Sequence, residues 1–509
     1  MILRDWKGIS FSIGVQNKRR RTSASGKEMK RFMKILFAAS EALPFIASGG
    51  LADVAGALPK ALQSKKAECR VILPLYNGIK QELREKLRYV TNFPVQLAWR
   101  SLYCGIFEAV VDGVKYYLVD NEYYFKRDGI YGFYDDAERY SFFSKAVLET
   151  IKHIDFKPDI VHCNDWQTAL VPVYYNLYYK YVPGYEQIKT VFTIHNIQYQ
   201  GKYGYETMTD VMDIPPSAKS ILDYDGCANM MKGAIEVSDK VTTVSPTYAK
   251  EILNPWYAHG LDYLLRQKQY KLCGILNGID NDAYNPQTDP LIYQNFSADD
   301  LPGKEENKRR LCEELHLTYE DGTPLIGIVT RLVGHKGLDL IKYVFEDIVN
   351  RGIKVVLLGS GEYFYESFFR EMAHRHPGRV SVTIGFIPEL ARKIYASSDL
   401  FLMPSKSEPC GLAQMISLRY GTIPIVRETG GLKDSIQDCG SLHGNGFTFQ
   451  SYDAQDMLWA ITRAKDLYYD KPNWGNLVRY AMGYDCSWNK SADSYMGLYR
   501  ELCGENGQG

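Results

Sequence analysis

Two cations in the second half of the chain are candidates for binding a diphosphate. Arg331 and Lys336 follow the β-branched run LIGIVT, and Gly334 and Gly337 lie beside them in a predicted loop that leads into a helix. A guanidinium forms forked hydrogen bonds to phosphate oxygens and an ammonium supplies a compact charge, so the pair suits a departing nucleotide diphosphate. The spacing alone also fits two ordinary surface charges in a loop.

Glu408 is the candidate for contact with a sugar. It lies in residues 405–412 (SKSEPCGL), between the run DLFLMPS and the helix-like LAQMISLRYG. At a helix start its carboxylate could bind sugar hydroxyls, while the backbone amides of Cys410, Gly411 and Leu412 face the sugar or a phosphate. A glutamate that only caps the helix beside a proline fits the pattern equally well. Cys410 has no evident base beside it and is not predicted to be a nucleophile.

Two glycine turns stand where a predicted strand leads into a helix. Their sequences are Ser48-Gly49-Gly50 and Thr429-Gly430-Gly431. Backbone amides in such a turn can bind an anion close to a helix N-terminus, which is a diphosphate-binding geometry. Each turn alone is weak evidence, because a tight strand-to-helix turn needs glycine for steric reasons.

Asp165 and His195 each end a predicted strand in the first half of the chain, after DIVHCN and VFTI. A polar residue at the carboxyl end of a strand more often faces a cleft than a core. A single histidine is nevertheless more often a satisfied structural residue than a functional one. Both therefore stay candidates.

The elements that position these residues alternate between short β-branched runs and helix-compatible stretches, which predicts parallel sheets. One series of runs begins at residues 34, 70, 116, 159, 190 and 240, and a second begins at residues 325, 354, 380, 399 and 423. We therefore predict an α/β fold with two doubly wound, Rossmann-like domains, at residues 33–279 and 280–485. Ligands in such sheets bind beyond the carboxyl ends of the strands, where the candidate residues lie.

Composition narrows the function classes. Acidic and basic residues number 60 each, so the net charge offers no general attraction to nucleic acid or to an anionic membrane. The ten cysteines form no C-x-x-C pair, which favours reduced thiols in a cytoplasmic protein. No apolar run approaches the roughly 18 residues that span a bilayer. Residues 1–32 are basic and predict a disordered leader, which fits a tail, an organelle transit peptide or an upstream start codon.

Taken together, the motifs resemble the family of bacterial glycogen synthases and plant starch synthases, which are retaining glycosyltransferases of the GT-B fold. The resemblance runs from KILFAASEALPFIASGGLADVAGALPKAL at residue 34 through VHCNDWQTAL, VFTIHNIQYQG, VTTVSPTYAKEI, GILNGID, RLVGHKGLDL, PSKSEPCGLAQM and RETGGLKDSI to DCSWNKSADSYMGLY. It implies two domains that face each other across a cleft, with the donor mainly on the second and the acceptor mainly on the first. A C-terminal helix, residues 486–509, would cross back onto the first domain.

The resemblance also implies the reaction and the roles of individual residues. Glucose would pass from ADP-glucose, a substrate rather than a cofactor, to the non-reducing 4-hydroxyl of an α-1,4-glucan, without a metal and in the cytoplasm. Arg331 and Lys336 would bind the donor diphosphate, and Glu408 would contact the transferred glucose. The residues expected to line the donor or the glucose are Cys410, Gly411, Leu412, Thr429, Gly430, Gly431, Asp165, His195 and Asn277, with Ala47, Ser48, Gly49, Gly50, Asp53 and Tyr131 as weaker assignments.

Three positions depart from the family pattern. Ala47, just before the first glycine turn, replaces a lysine that many members carry, so one cation expected near the donor is missing. His335 replaces the usual glutamine, and Ile416 stands where broader GT-B enzymes often carry a second glutamate. Two alternatives stay open at this point. One is a non-catalytic glucan-binding protein, which the missing lysine suggests, and the other is a retaining GT-B enzyme such as a sucrose-forming transferase or a glucan phosphorylase.

Overall fold

The computed structural model describes residues 32–441 and 443–504. Nearly all of the predicted leader, residues 1–31, lies outside the described residues, as do residues 505–509 at the end of the predicted C-terminal helix. The strands in the described part are, in chain order, β1 (Met33–Ala38), β2 (Ala67–Pro74), β3 (Arg88–Leu97), β4 (Arg100–Val111), β5 (Val114–Asp120), β6 (Ile160–Asn164), β7 (Lys189–Ile194), β8 (Lys202–Tyr203), β9 (Asp223–Tyr224), β10 (Cys227–Asn229), β11 (Lys240–Thr243), β12 (Leu272–Gly274), β13 (Leu325–Val329), β14 (Lys354–Gly359), β15 (Val380–Ile384), β16 (Leu400–Met403), β17 (Ile423–Arg427) and β18 (Phe447–Phe449).

Two large sheets organise the molecule. The first has the order β12-β11-β7-β6-β1-β2-β5-β4-β3, in which the strands from β12 to β5 run parallel and β4 and β3 add an antiparallel hairpin at one edge. The second has the order β15-β14-β13-β16-β17-β18 and is parallel throughout. A small antiparallel sheet, β8-β10-β9, accompanies them. The predicted α/β class with two parallel sheets is confirmed.

Helices cover these sheets and connect their parallel strands, as such topology requires. The α-helices are α1 (Gly50–Ser64), α2 (Gln81–Arg84), α3 (Glu122–Phe125), α4 (Asp136–His153), α5 (Leu170–Tyr174), α6 (Thr207–Asp210), α7 (Met230–Val237), α8 (Pro246–Glu251), α9 (Pro255–Ala258), α10 (Asp262–Gln267), α11 (Pro302–Glu314), α12 (Leu338–Tyr343), α13 (Phe345–Asn350), α14 (Tyr363–Arg375), α15 (Pro388–Ser397), α16 (Ala413–Arg419), α17 (Gly430–Ser435), α18 (Ala454–Tyr469), α19 (Lys471–Gly483) and α20 (Trp488–Leu502). Within the described ranges, none of these helices has the length and apolar character needed to cross a bilayer.

Helix α1 shows how the sequence pattern produces the packing. Leu51, Ala55, Leu58 and Leu62 recur at intervals of three or four residues, so they share one face of the helix, and all four are buried in the core. Burial of a leucine side chain stabilises the fold by about 2 kcal/mol. This face fixes the helix whose first residue belongs to the first glycine turn.

The last helix, α20, packs on the first sheet although it follows the second in the chain. Tyr499 Oη lies 2.7 Å from His162 Nδ1, and Ser491 Oγ donates a 2.5 Å hydrogen bond to the carbonyl of Leu276. Lys65 Nζ lies 2.8 Å from Asp493 Oδ2 and adds an ion pair at the end of α1. The chain therefore passes from the first sheet to the second and back again. The domain limits at residues 279 and 485 stay predictions.

The sequence analysis omitted the antiparallel parts of the fold. Strands β3 and β4 form a hairpin that continues into β5, and the link between β4 and β5 is a two-residue turn, Asp112-Gly113. Both residues have positive φ, 49° and 79°, as the common two-residue hairpin turn requires. The prediction relies on β-branched runs that alternate with helix-compatible stretches, a pattern typical of parallel sheets. It therefore misses this antiparallel hairpin.

Candidate active site

A cavity of about 420 Å³ opens between loops that follow the strands of the two large sheets. The first half of the chain lines it with residues after β7 and around α8, and the second half lines it with the loops after β13, β14 and β16. The lining residues are Asn196, Gln198, Tyr199, Tyr248, His259, Arg331, Val333, Gly334, His335, Glu362, Ser407 and Pro409. Loops at the carboxyl ends of parallel strands therefore meet in one place.

Lys336 and Glu408 form an ion pair beside this cavity. Lys336 Nζ donates a hydrogen bond of 2.6 Å to Glu408 Oε2, and Ser405 Oγ donates a second bond of 3.0 Å to the same oxygen. Glu408 is buried and Lys336 is half-buried, so water screens the pair little. The structure thus brings together two of the three residues on which the sequence prediction depended most.

The charge of Glu408 is set by opposing effects. Burial raises the pKa of its carboxyl, but the Lys336 ammonium and the hydrogen bonds from Lys336 and Ser405 outweigh burial and leave the pKa below its ordinary value. The neighbouring imidazole of His335 stays neutral, because burial and the Lys336 charge lower its pKa to about 4. At neutral pH the site therefore presents one carboxylate, one ammonium and an uncharged imidazole.

Arg331 supplies a second cation at the cavity. Its side chain is exposed, and it has no ion pair or side-chain hydrogen bond to another residue of the described part. It lines both the main cavity and an adjoining, more apolar pocket of about 180 Å³ that also contains Phe386. Phe386 is 90% exposed, so its ring is open to solvent beside this pocket. The sequence analysis missed Phe386, although it follows β15.

A close backbone approach holds the Lys336 loop against the Glu408 loop. Gly337 has φ +71°, and a Cβ there would lie 2.0 Å from the carbonyl oxygen of Pro404. The amide of Lys406 donates a 2.9 Å hydrogen bond to the carbonyl of His335. Only glycine fits both the backbone conformation and the space, so Gly337 allows the ion pair to form.

Asp165 and His195 lie together in the first half, in the loops after β6 and β7. Asp165 Oδ1 accepts hydrogen bonds from the amides of His195, at 2.7 Å, and Asn196, at 3.3 Å. His195 Nε2 lies 2.9 Å from Asn164 Oδ1. Asp165 has φ +55°, a strained conformation for a residue with a side chain. Such strain is most often kept at functional sites, and Asn196 from this cluster lines the cavity.

Burial favours the uncharged forms of the Asp165 and His195 side chains. It lowers the pKa of His195 to about 3, so the imidazole is neutral at physiological pH. It raises the pKa of Asp165 to about 7, although the amides of His195 and Asn196 favour the carboxylate. A neutral imidazole and a carboxylate that titrates near neutrality are suited to hydrogen bonds with sugar hydroxyls.

Asn277 and Cys410 meet where the two halves adjoin. Burial raises the pKa of Cys410 to about 12, and a hydrogen bond from the backbone of Asn277 partly opposes this. Cys410 is therefore a neutral thiol at neutral pH. The side-chain oxygen of Asn277 is buried and has no hydrogen-bond partner in the described part of the chain. A buried polar atom of this kind is expected to gain a partner from a ligand.

The first glycine turn binds a carboxylate of the protein itself. Ser48 donates from its amide, at 2.5 Å, and from Oγ, at 2.7 Å, to Glu41 Oε2. Burial raises the pKa of Glu41, and the bonds from Ser48 oppose it. Ala47, Gly49 and Gly50 are exposed, so the start of α1 stays open to solvent.

Asp53 and Tyr131 are two further weak assignments from the first half of the chain. Asp53 is half-buried in α1, and burial raises its pKa to about 6 while the charge of Arg392 lowers it. Tyr131 Oη lies 2.7 Å from Ser40 Oγ. Neither side chain lines the cavity.

The second glycine turn also binds a carboxylate. Glu251 Oε1 accepts hydrogen bonds from Thr429 Oγ1, at 2.9 Å, and from the amide of Gly430, at 3.1 Å. The amide of Gly431 donates to the carbonyl of Glu408, at 3.2 Å. The turn predicted to line the donor phosphates therefore connects α8 to the Glu408 loop, and Glu251 was not among the predicted residues.

The Glu408 loop then continues into α16. Gly411 has φ +71° and Leu412 is half-buried just before the helix starts. Gln414 Nε2 donates to the carbonyls of Cys410 and Gly411, at 3.1 and 3.0 Å, and holds the loop from within. In the described ranges no group of three or more His, Cys, Asp or Glu side chains could hold a metal ion.

Comparison with known families gives two matches. Residues 34–267 match the model of the starch synthase catalytic domain, and residues 316–476 match that of group 1 glycosyl transferases. Glycogen synthases of Bacillus cereus (strain Q1) and Bacillus anthracis are each 52% identical over 476 residues, which cover 92% of this chain and 100% of theirs. One from Clostridium botulinum (strain Eklund 17B / Type B) is 50% identical over 475 residues, 92% of this chain and 99% of its own.

Solved structures agree with these matches. The catalytic domain of starch synthase IV from Arabidopsis thaliana, bound to ADP and acarbose, has a TM-score of 0.86 and 37% identity, over 93% of this chain and 99% of that one. A sucrose-phosphate synthase from Thermosynechococcus elongatus has a TM-score of 0.58 and 15% identity, over 93% and 100%. The latter shares the fold alone.

Proposed function

The chain belongs to the family of bacterial glycogen synthases and starch synthases, and from that premise we propose that it transfers glucose from ADP-glucose to the non-reducing 4-hydroxyl of an α-1,4-glucan with retention of configuration. It is a glycosyltransferase of the GT-B fold whose function is glycogen synthesis. The donor, the acceptor and the residues below are our assignments.

The observation that carries the proposal is the Lys336–Glu408 ion pair at a cavity that Arg331 lines from the same side. Departure of ADP leaves negative charge on the diphosphate. Arg331 and Lys336 would stabilise that charge in a partly water-excluded site, where preorganised cations act most strongly. Glu408, which is ionised and buried, would accept hydrogen bonds from hydroxyls of the transferred glucose.

The path of the reaction is the one that retention of configuration implies. The glucan 4-hydroxyl would attack the anomeric carbon from the side on which the diphosphate leaves, and a phosphate oxygen would take the hydroxyl proton. Asp165, His195 and Asn277 would hold the glucose from the first half of the chain. Closure of the cleft would exclude water, which competes with the glucan as acceptor.

The nucleoside would occupy the apolar pocket that adjoins the cavity. Arg331 lines both spaces, so a diphosphate beside Arg331 would place the attached nucleoside next to Phe386. An adenine ring would cover this exposed aromatic face by stacking. The Arabidopsis structure is bound to ADP and acarbose, which supports a nucleotide site in this chain as well.

We also propose that the enzyme works in the cytoplasm. The ten cysteines all lie in the described ranges, and none of them forms a disulfide there. Thiols persist in reducing compartments.

The decisive experiment is a side-by-side donor assay. Purified protein is incubated with glycogen or a maltooligosaccharide and radiolabelled ADP-glucose or UDP-glucose, and the label in glucan is measured. We expect incorporation from ADP-glucose and product chains that β-amylase degrades. Fructose in place of the glucan should accept no label. Lack of incorporation from both donors would reject the proposal and leave a glucan-binding protein as the better account.

A further inference from the structure

Two short helices from the two halves of the chain lie side by side. Helix α8 follows β11 of the first sheet, and α17 follows β17 of the second. Each helix supplies a carboxylate that binds the N-terminus of the other, and we call this pair the reciprocal cap. Its members are Ser245, Thr247, Glu251, Thr429, Gly430 and Asp434.

Asp434 forms one half of the reciprocal cap. Its Oδ2 accepts hydrogen bonds from Ser245 Oγ, at 2.6 Å, and from the amide of Thr247, at 2.9 Å. Its Oδ1 accepts a third bond from Thr247 Oγ1, at 2.6 Å. A carboxylate at a helix N-terminus satisfies free amides and the helix dipole, and it stabilises the helix by about 1 kcal/mol. These three bonds end at the start of α8.

Glu251 forms the other half of the reciprocal cap. Unlike Asp434, it binds a turn that also contacts the Glu408 loop. The amide of Gly430 lies 3.1 Å from both of its carboxylate oxygens, and Thr429 Oγ1 donates at 2.9 Å. Burial raises the pKa of Glu251, and the bonds from Gly430 and Thr429 oppose this. A half-buried carboxylate without those bonds would be costly, so the turn and Glu251 depend on each other.

The turn that Glu251 holds is in direct contact with the Glu408 loop. The amide of Gly431 donates to the carbonyls of Glu408, at 3.2 Å, and Pro409, at 3.1 Å. A Cβ on Gly430 would lie 1.9 Å from the carbonyl oxygen of Glu408, so the two backbones touch without room for a side chain. A displacement of the turn would therefore displace the backbone of Glu408.

We propose that Glu251 is a positioning residue for glucosyl transfer. From the first half of the chain it holds the Thr429-Gly430-Gly431 turn, and through that turn it fixes the carboxylate of Glu408 relative to Lys336. The role rests on the proposed function, since it concerns the residue assigned to the transferred glucose. A misplacement of a reacting group by about 1 Å can lower the rate by about a hundredfold. The contact of Glu251 with this turn thus becomes a condition for the active arrangement.

Only Glu251 holds the turn that contacts the Glu408 loop, so Asp434, the other carboxylate of the reciprocal cap, is a matched control. Glu251→Gln, Glu251→Ala and Asp434→Asn are compared with the parent enzyme by kcat, by KM for ADP-glucose and by melting temperature. We expect Glu251→Ala to lower kcat at least about tenfold, with KM for ADP-glucose changed less than about threefold. Glu251→Gln keeps one acceptor oxygen and should lie between the parent and Glu251→Ala.

Asp434→Asn should lower the melting temperature as much as Glu251→Gln but keep kcat within about threefold of the parent. A role in holding the halves together, without positioning, would instead make the glutamate and aspartate variants equally slow. That result, or parental kcat in Glu251→Ala, would overturn the inference. Should Glu251→Ala fail to fold, the isosteric Glu251→Gln decides by the same comparison. An inactive parent enzyme would reject the proposed function itself.

Discussion

Lys336 Nζ lies 2.6 Å from Glu408 Oε2, although the two residues are separated by 72 positions in the chain. Their loops follow β13 and β16, which are neighbours in the second sheet. Adjacent parallel strands bring their carboxyl ends to the same edge, so the pair is a consequence of strand order. The cation keeps the buried carboxylate ionised, and the carboxylate holds the cation where the diphosphate charge would develop.

Removal of the Glu408 or the Arg331 side chain should slow glucosyl transfer. We expect Glu408→Ala and Arg331→Ala each to lower kcat at least about tenfold, equivalent to about 1.4 kcal/mol of transition-state stabilisation. The first change would remove the contact proposed with the transferred glucose, and the second would remove the cation proposed to stabilise the leaving group. Initial rates at saturating ADP-glucose and glycogen measure both effects.

Two residues of the same types that lie outside the cavity lining, the exposed Glu313 and the half-buried Arg351, serve as controls for these changes. Glu313→Ala and Arg351→Ala alter side chains on the surface of α11 and beyond the end of α13. Both should retain parental turnover. Near-parental kcat in Glu408→Ala and Arg331→Ala together would contradict the site assignment.

The contact between the two active-site loops can be tested at Gly337. A methyl group there would clash with the carbonyl of Pro404, 2.0 Å away, and would push the Lys336 loop from the Glu408 loop. Gly352 has a similar φ, +76°, but no atom within 4 Å of the position of a Cβ. Gly352→Ala should therefore cost only about 1 kcal/mol of stability through backbone strain.

Gly337→Ala should be less stable than Gly352→Ala and should lower kcat, whereas Gly352→Ala should keep parental kcat. Melting temperatures and initial rates of the two variants give the comparison. Equal behaviour of the two variants would show that the loops adapt to the extra methyl group and that the close approach has no part in forming the ion pair.

The raised pKa of Asp165 predicts a pH-dependent cost to stability. The carboxyl has an ordinary pKa of 3.8 and a pKa of about 7 in the folded protein, so folding takes up a proton between these values. The free energy of unfolding therefore falls as the pH rises from about 4 to about 7, and the loss is complete above about 8. An amide does not titrate in this range, so Asp165→Asn removes the cost while it keeps an acceptor for the backbone amides.

We expect Asp165→Asn to raise the free energy of unfolding at pH 8 by about 1 to 3 kcal/mol, a range reduced from the full shift because the side chain is half-buried. At pH 4 the variant and the parent should unfold alike. Urea titrations at both pH values provide the measurement, and transfer activity should fall in the variant. A gain in stability that is equal at pH 4 and pH 8 would show that ionisation of Asp165 is not its cause.

The sequence predicted the fold better than it predicted the contacts of the glycine turns. Strand and helix periodicity located the parallel strands. Arg331, in the loop after β13, lines the cavity, and Lys336 in the same loop pairs with Glu408 beside it. The antiparallel strands β3 and β4 were missed, although the Asp112-Gly113 turn is a signal for the hairpin of β4 and β5.

The anion that each glycine turn binds could not be read from the sequence. The pattern of both turns predicts sites for the donor phosphates, yet the amide of Ser48 binds Glu41 and the amide of Gly430 binds Glu251. A turn presents the same amides to a phosphate and to a carboxylate, so its local sequence does not distinguish them. Glu251 and Gly430 are 179 positions apart, and no local pattern reports such a pair.

The exposed position Ala47 offers a test of whether a missing cation weakens donor binding. Ala47 precedes the first glycine turn, where many members of the family carry a lysine, and its side chain is exposed. A lysine at this place would add a positive charge near the start of α1, which already favours anions. We expect Ala47→Lys to lower KM for ADP-glucose about threefold or more, with little change in KM for glycogen. The gain should shrink at high salt, because screening weakens an exposed charge. Ala47→Gln, which has similar length and no charge, should keep the parental KM, and an equal effect of both variants would mean that contact rather than charge is responsible.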